Sequence, residues 1–256
     1  MSTYSEIANQ IYHEINELRA NPSQYADKLE GLRENYKANN ALHRPGDVPV
    51  LTREGVAALD DAIQTLRNTG NLSELKPSAG LIAAAQAHVN DTGKNSLIGH
   101  NGSDDSTFLQ RLDNVGHWKG SVAEALDYGS VSAFEIVANL LIDDGQPTRP
   151  HRGALLNKNY KQVGYGFGPH EEYKTTANVI LATDFQDNDE LPSVSVPDGV
   201  ITESFEAKNW LEGAVRLTCE VTTEAEGSKI VRRYVKHWEL SDGSTKTTTE
   251  VYEIGG

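Results

Sequence analysis

The chain of 256 residues contains a single cysteine, Cys219, so no intrachain disulfide can form and any zinc site has to be built from histidine and carboxylate. Basic residues are also scarce: 23 Lys and Arg stand against 37 Asp and Glu, a formal charge of −14. A field of that sign repels a phosphate backbone or an anionic leaflet, which argues against nucleic acid and acidic membranes as partners. No stretch reaches the ~20 apolar residues of a membrane-spanning helix, and the first residues lack the apolar centre of a signal peptide. The chain reads as soluble. It is either a native cytosolic form or a mature secreted form with an added Met1, and its compartment stays open on the sequence.

Several catalytic signatures are missing as well. There is no GxSxG elbow and no Walker loop, and Gly164-Tyr165-Gly166-Phe167-Gly168 does not open a helix after a strand, so its glycines read as strand glycines. His13-Glu14 begins an HExxH pattern, yet position 17 is Glu, so the second ligand is missing.

What is present is helical first and strand-like later. Tyr4, Ile7, Ile11, Ile15 and Leu18 share one helical face behind a Thr3/Glu6 capping box, and Asn21-Pro22 ends that helix and opens a second through Tyr25 and Leu29. Residues 39–50, with Pro45, Gly46 and Pro49, read as loop. Further helices are expected from Val56 to Leu66, Leu81 to Val89, Thr107 to Leu112 and Ala133 to Ile142, and strands over Val163–Phe167 and Thr176–Phe185. This order gives an α+β class without the βα alternation of a doubly wound sheet. Residues 186–199 have linker composition. Beyond them, Ala214–Thr223, Lys229–Leu240 and Lys246–Ile254 read as an antiparallel meander with turns at Ala225-Glu226-Gly227 and Asp242-Gly243. The expected organisation is a first domain over 1–185, a linker over 186–199, and a small β unit over 200–256 that docks on the first domain, being marginal by itself.

The residues able to carry chemistry lie at junctions. His100 sits in the loop Gly99-His100-Asn101-Gly102-Ser103, and His151 in Pro150-His151-Arg152. Two neutral imidazoles from distant loops can make half of a tetrahedral zinc shell, although ordinary loop histidines look the same in sequence. Glu124, in Val122-Ala123-Glu124-Ala125-Leu126, is costly to desolvate unless paired, so it is either functional or a partly exposed strand or helix residue. Asp143 and Asp144 close an apolar helix, where acids oppose the helix dipole, so something else must favour them. Cys219, between Leu217 and Val221, reads as a small core residue. His117 and His170, near glycines, read as loop residues.

In this order the pieces resemble the CAP superfamily (cysteine-rich secretory proteins, antigen 5, pathogenesis-related 1; SCP domains) over about residues 5–185. The markers are Asn16-x-x-Arg19-x-Asn21-Pro22, the helix leading to Gly99-His100-Asn101-Gly102, Val122-Ala123-Glu124, Leu141-Ile142-Asp143-Asp144-Gly145 through Arg149-Pro150-His151-Arg152, and Val163-Gly164-Tyr165-Gly166. The run from Ile142 to Arg152 looks like the disulfide-poor bacterial- and protist-type branch. The resemblance implies an α-β-α sandwich with one open cleft holding two histidines and two acids: His100, His151, Glu124, and Asp144 in preference to Asp143. The family's Gly-Glu-Asn is Ala-Glu-Ala here, which removes an Asn side chain next to Glu124. It further implies a cleft able to hold a divalent ion such as Zn2+. The leading functional expectation is a binding module that engages a lipid, a sterol or a protein partner without turnover. The alternative is a zinc-dependent hydrolase in which His100 and His151 hold the metal and Glu124 is the general base.

Overall fold

The computed structural model describes residues 2–37, 40–43, 50–201, 214–226, 229–240 and 242–254, with side chains left out of account over 200–241 and 250–256. The expected loop around Pro45, Gly46 and Pro49 lies outside the described residues, as does the side chain of Cys219. The chain divides into two units, Met1–Ala41 with Leu51–Thr202 and Leu42–Val50 with Glu203–Gly256.

A short strand β1 (Ser2–Thr3) leads into α1 (Tyr4–Ala20), which starts at the expected capping box: Thr3 accepts from the Glu6 amide and Glu6 from that of Thr3. Ile7, Ile11, Ile15 and Leu18 are buried along its inner face. Asn21 ends α1 and caps α2 (Pro22–Glu30) through the Gln24 amide. Three two-residue strands follow, β2 (Tyr36–Lys37), β3 (Ala41–Leu42) and β4 (Val50–Leu51), and then α3 (Val56–Arg67), β5 (Lys76–Pro77) and α4 (Ala79–Lys94). The rest of the unit is α5 (Phe108–Asp113), β6 (Gly116–Tyr128), α6 (Ala133–Ile142), α7 (Pro150–Leu155), β7 (Gln162–His170), β8 (Lys174–Asp187) and β9 (Val200–Ile201).

Four strands form one sheet in the order β5-β7-β8-β6; β5 runs parallel to β7, and the other neighbours are antiparallel. Alternation along β8 divides the core. Ala177, Val179 and Leu181 pack with α1, α3, α6 and α7, whereas Ile180 and Ala182 pack with Leu81, Ala84 and Ala85 of α4 and Leu112 of α5. The result is the expected α-β-α layering. On β7 the glycines face α4: a Cβ on Gly164 would come within 2.2 Å of the Leu81 carbonyl carbon, and one on Gly166 within 2.7 Å of the Gln86 nitrogen. These glycines let helix and sheet meet backbone to backbone, while Tyr165 and Phe167 project to the other side to meet Tyr12 and Tyr4.

The Asn16-x-x-Arg19 pattern proves to be architectural. Arg19 is fully buried and donates to the carbonyls of Ser73, Leu155, Asn157 and Tyr160, and Asn16 exchanges hydrogen bonds with the backbone of Leu75. One cation thus pins two distant connections onto α1.

Beyond β8 the acidic segment has no regular structure until β9, which pairs with β1 through Ser2 and Ile201. On the way, Ser195 accepts from the Asn90 side chain and Gly199 from the Tyr4 amide. The second unit contains β10 (Ala214–Glu226), β11 (Lys229–Leu240) and β12 (Thr245–Ile254), an antiparallel meander in that order. The Asp242-Gly243 turn forms as expected, with Gly243 at φ 81° and Asp242 accepting from Ser244; Gly227 of the other turn lies outside the described residues.

Candidate functional site

Glu124 is the centre of the site. It stands on β6 opposite Ile180 of β8, flanked by Ala123 and Ala125, which pack into the α1/α6 core, so its own side chain falls on the face shared with α4 and α5. The carboxylate is buried, with 1% of the side chain exposed. One oxygen accepts from His100 Nδ1 at 2.7 Å; the other accepts from Arg111 Nη2 at 2.7 Å and Asn178 Nδ2 at 2.8 Å. Burial pushes the Glu124 pKa up, but the His100 bond, the Arg111 charge and the Asn178 amide outweigh it and hold the group below the ordinary carboxylate value. Glu124 is therefore an ionised acceptor held by three donors. Of the two readings the sequence left open, the partly exposed residue is excluded, since the side chain is 1% exposed. The amide missing from Ala-Glu-Ala is supplied across the ladder by Asn178.

Each donor is placed by its own element. Arg111 reaches in from α5 and also donates to the carbonyls of His100 and Ser106, so the guanidinium ties the loop to the carboxylate. Gly99 takes φ 93°, a conformation that favours glycine; its amide donates to the Tyr128 hydroxyl and its carbonyl accepts from His88 Nε2. His100 follows, with 53% of its side chain exposed. Because a carboxylate only accepts, His100 Nδ1 carries a proton, and in the neutral ring Nε2 is then the acceptor. Exposed Ile98 lies two residues earlier in the same loop, and the ring of exposed Tyr173 packs tilted against Tyr128, with centroids 5.5 Å apart.

His151 is paired with an acid of its own. Its Nδ1 lies 2.7 Å from Asp143 Oδ1, while Asp143 Oδ2 accepts from the backbone amides of His151 and Arg152. Asp143 thus closes α6 in the left-handed region, φ 54°, and simultaneously caps the start of α7, where its charge is favoured. That answers the question raised by acids at a helix C-terminus. Asp144, the preferred second acid from the sequence, points elsewhere: it accepts from the amides of Arg53 and Glu54 ahead of α3. The acid beside His151 is Asp143.

Each histidine has its own acid, His100 with Glu124 and His151 with Asp143. Glu124 and its donors occupy the α4 face of the sheet, whereas α6 and α7 bury Leu141 and Leu155 in the core of the opposite face. Each imidazole holds a carboxylate through Nδ1 and keeps Nε2, an arrangement that suits a metal ligand. Among the described residues, however, no three His, Cys, Asp or Glu converge in a way that could hold a metal ion. A surface groove of about 470 Å³ between α1 and α2, lined by Glu17, Asn21, Gln24 and Lys28 among others, includes none of the candidate residues. His88, Arg111 and Asn178 belong to the site and were not singled out from sequence. His170 is a correction: it ends β7 and is buried, bonded to the Leu97 carbonyl, and His117 lies within β6.

Residues 61–183 match the model of the Cysteine-rich secretory protein family, CAP. That segment is similar to a CAP domain. Both histidine–acid pairs, Arg111 and Asn178 lie inside it. No curated protein matches the sequence. Among solved structures, an outer surface protein from Borrelia burgdorferi is 21% identical, covering 50% of this chain and 89% of that one, with a TM-score of 0.36. An extracellular SCP-domain protein from Bacillus anthracis is 19% identical over 48% of this chain and 37% of that one, with a TM-score of 0.34. No helix among the described residues is long and apolar enough to cross a membrane.

Proposed function

We propose that the CAP-like segment is a binding module whose ligand is a neutral, largely apolar molecule carrying a hydroxyl group, such as a sterol or a fatty alcohol, and that it binds without turnover. The observation that carries this reading is a half-exposed imidazole locked in one tautomer by a buried carboxylate, with exposed apolar side chains nearby. His100 Nε2 offers an acceptor to a ligand O–H. Ile98, next to Gly99, and Tyr173, packed on the Tyr128 that binds the Gly99 amide, offer apolar surface. The formal charge of −14 disfavours an anionic lipid.

The hydrolase alternative is supported less. A general base works best with a pKa near the working pH, whereas the Glu124 pKa is lowered by the donors gathered on it. Its zinc would need both imidazoles at one point. The test is a titration with cholesterol and with oleate: saturable cholesterol binding, weaker oleate binding, and loss of the former in Ile98→Glu are expected. No saturable cholesterol binding, or ester or peptide hydrolysis abolished by chelator, would overturn the reading.

A further inference from the structure

Behind Glu124, three side-chain atoms are buried without a hydrogen-bond partner: His88 Nδ1, Arg111 Nε and Asn178 Oδ1. Their residues are at least nine-tenths buried, at 1%, 9% and 0% exposure. They are not scattered. Arg111 and Asn178 donate to the same oxygen of Glu124, and the His88 ring lies within electrostatic reach of both Glu124 and Arg111. In a guanidinium, Nε and one terminal nitrogen form a single edge, so an Arg111 that donates to Glu124 through Nη2 turns its Nε–H toward the same region.

The chemical type of each atom is fixed by its neighbours. His88 Nε2 faces the Gly99 carbonyl at 3.0 Å, which only accepts, so Nε2 carries the proton and Nδ1 is a lone pair. Asn178 cannot be turned over, because its amide nitrogen donates to the Glu124 carboxylate and a flip would set oxygen against oxygen. The cluster thus presents two acceptors and one donor, and its complement must donate twice and accept once. Water does this. A carboxylate or phosphate has no proton to give, an alcohol has one, and an ammonium would be repelled by Arg111. Native proteins satisfy groups of this kind with conserved internal water.

We propose that His88, Arg111 and Asn178 form a binding site for one internal water molecule, which completes the support beneath His100. The water donates to His88 Nδ1 and Asn178 Oδ1 and accepts from Arg111 Nε. It thereby holds His88 in the tautomer that grips the Gly99 carbonyl, and Gly99 sets the turn that presents His100. His88 is on this account a positioning residue. The site does not rest on the ligand reading above: failure of cholesterol binding leaves it standing, and its own failure leaves that reading standing.

A high-resolution crystal structure of the full chain tests it directly. One ordered solvent oxygen within hydrogen-bond distance of all three atoms is expected. Absence of such density, or Arg111 Nε paired directly with Asn178 Oδ1, overturns the proposal. A second measurement needs no variant. In protein labelled with ¹⁵N-histidine, the unprotonated Nδ1 of His88 is expected upfield of a lone pair that has no donor. A resonance at the donor-free position, or a protonated Nδ1, overturns it.

Discussion

Replacing Glu124 by Gln keeps the shape of the side chain and removes its charge. The carboxylate is 1% exposed and Arg111 10% exposed at the side chain, so the pair is screened by protein rather than by water. The amide oxygen of Gln can keep at most part of the three donated bonds. Its NH2 would meet a donor, either His100 Nδ1–H or the Arg111/Asn178 pair. Taking one partner from a buried ion pair typically destabilises by about 3–5 kcal/mol, and the exposed side of His100 gives some relief, so about 3 kcal/mol is expected here. For a unit of this size each kcal/mol moves Tm by ~2–4 °C, giving a fall of roughly 6–12 °C. Every helix among the described residues belongs to the first unit, so circular dichroism at the helical band reads that unit's transition. A loss below about 1 kcal/mol would show that Glu124 is not the enclosed, charge-paired anchor that the site requires.

The other predictions concern acid, packing and the second acid pair. Burial lowers the His88 pKa from its ordinary 6.5, so the unfolded chain binds the extra proton first and stability falls as pH drops below about 6.5; Glu124, lowered from 4.5, adds loss in the same direction at lower pH. The urea midpoint should therefore be lower at pH 5 than at pH 7, and equal midpoints would contradict the His88 assignment. Gly166→Ala drives a Cβ into the backbone of α4 and should cost about 3 kcal/mol, whereas Gly153→Ala, with nothing within 4 Å, should be neutral or slightly stabilising in a thermal melt. Asp143→Ala removes the acceptor of three bonds and should cost about 2–4 kcal/mol, against about 1 kcal/mol for Asp144→Ala at its more exposed turn. The reverse order in denaturant melts would return Asp144 to the role given it by the sequence.

The elements that the sequence revealed are those whose signals are local. The capping box at Thr3, the Asn21-Pro22 junction and the apolar run Ala133–Ile142 each specify their element within a few residues, and the structure places α1, α2 and α6 there. Strand β6 was harder to read because a register shift between Lys119 and Val122, with Gly120 at φ 82°, breaks its alternation, so Glu124 carried no strand label. His100, Glu124 and His151 were legible as chemistry-bearing residues near junctions. Their partners were not, because Arg111 and Asn178 meet Glu124 from sequence distances of 13 and 54 residues, and contacts made only by the fold leave no local pattern. The choice between Asp143 and Asp144 likewise turned on a backbone conformation, φ 54° at Asp143, that aims the side chain at α7.

In the proposed binding mode His100 presents Nε2 as an acceptor to a hydroxyl-bearing ligand while Glu124 holds its other nitrogen. Nitrogen-15 spectra of histidine-labelled protein titrated with cholesterol read both atoms at once. The expected result is a protonated Nδ1 throughout and an Nε2 resonance that moves upfield saturably as sterol is added. An Nε2 resonance that stays in place at saturating sterol, or a His100 protonated on Nε2 in the free protein, would contradict it.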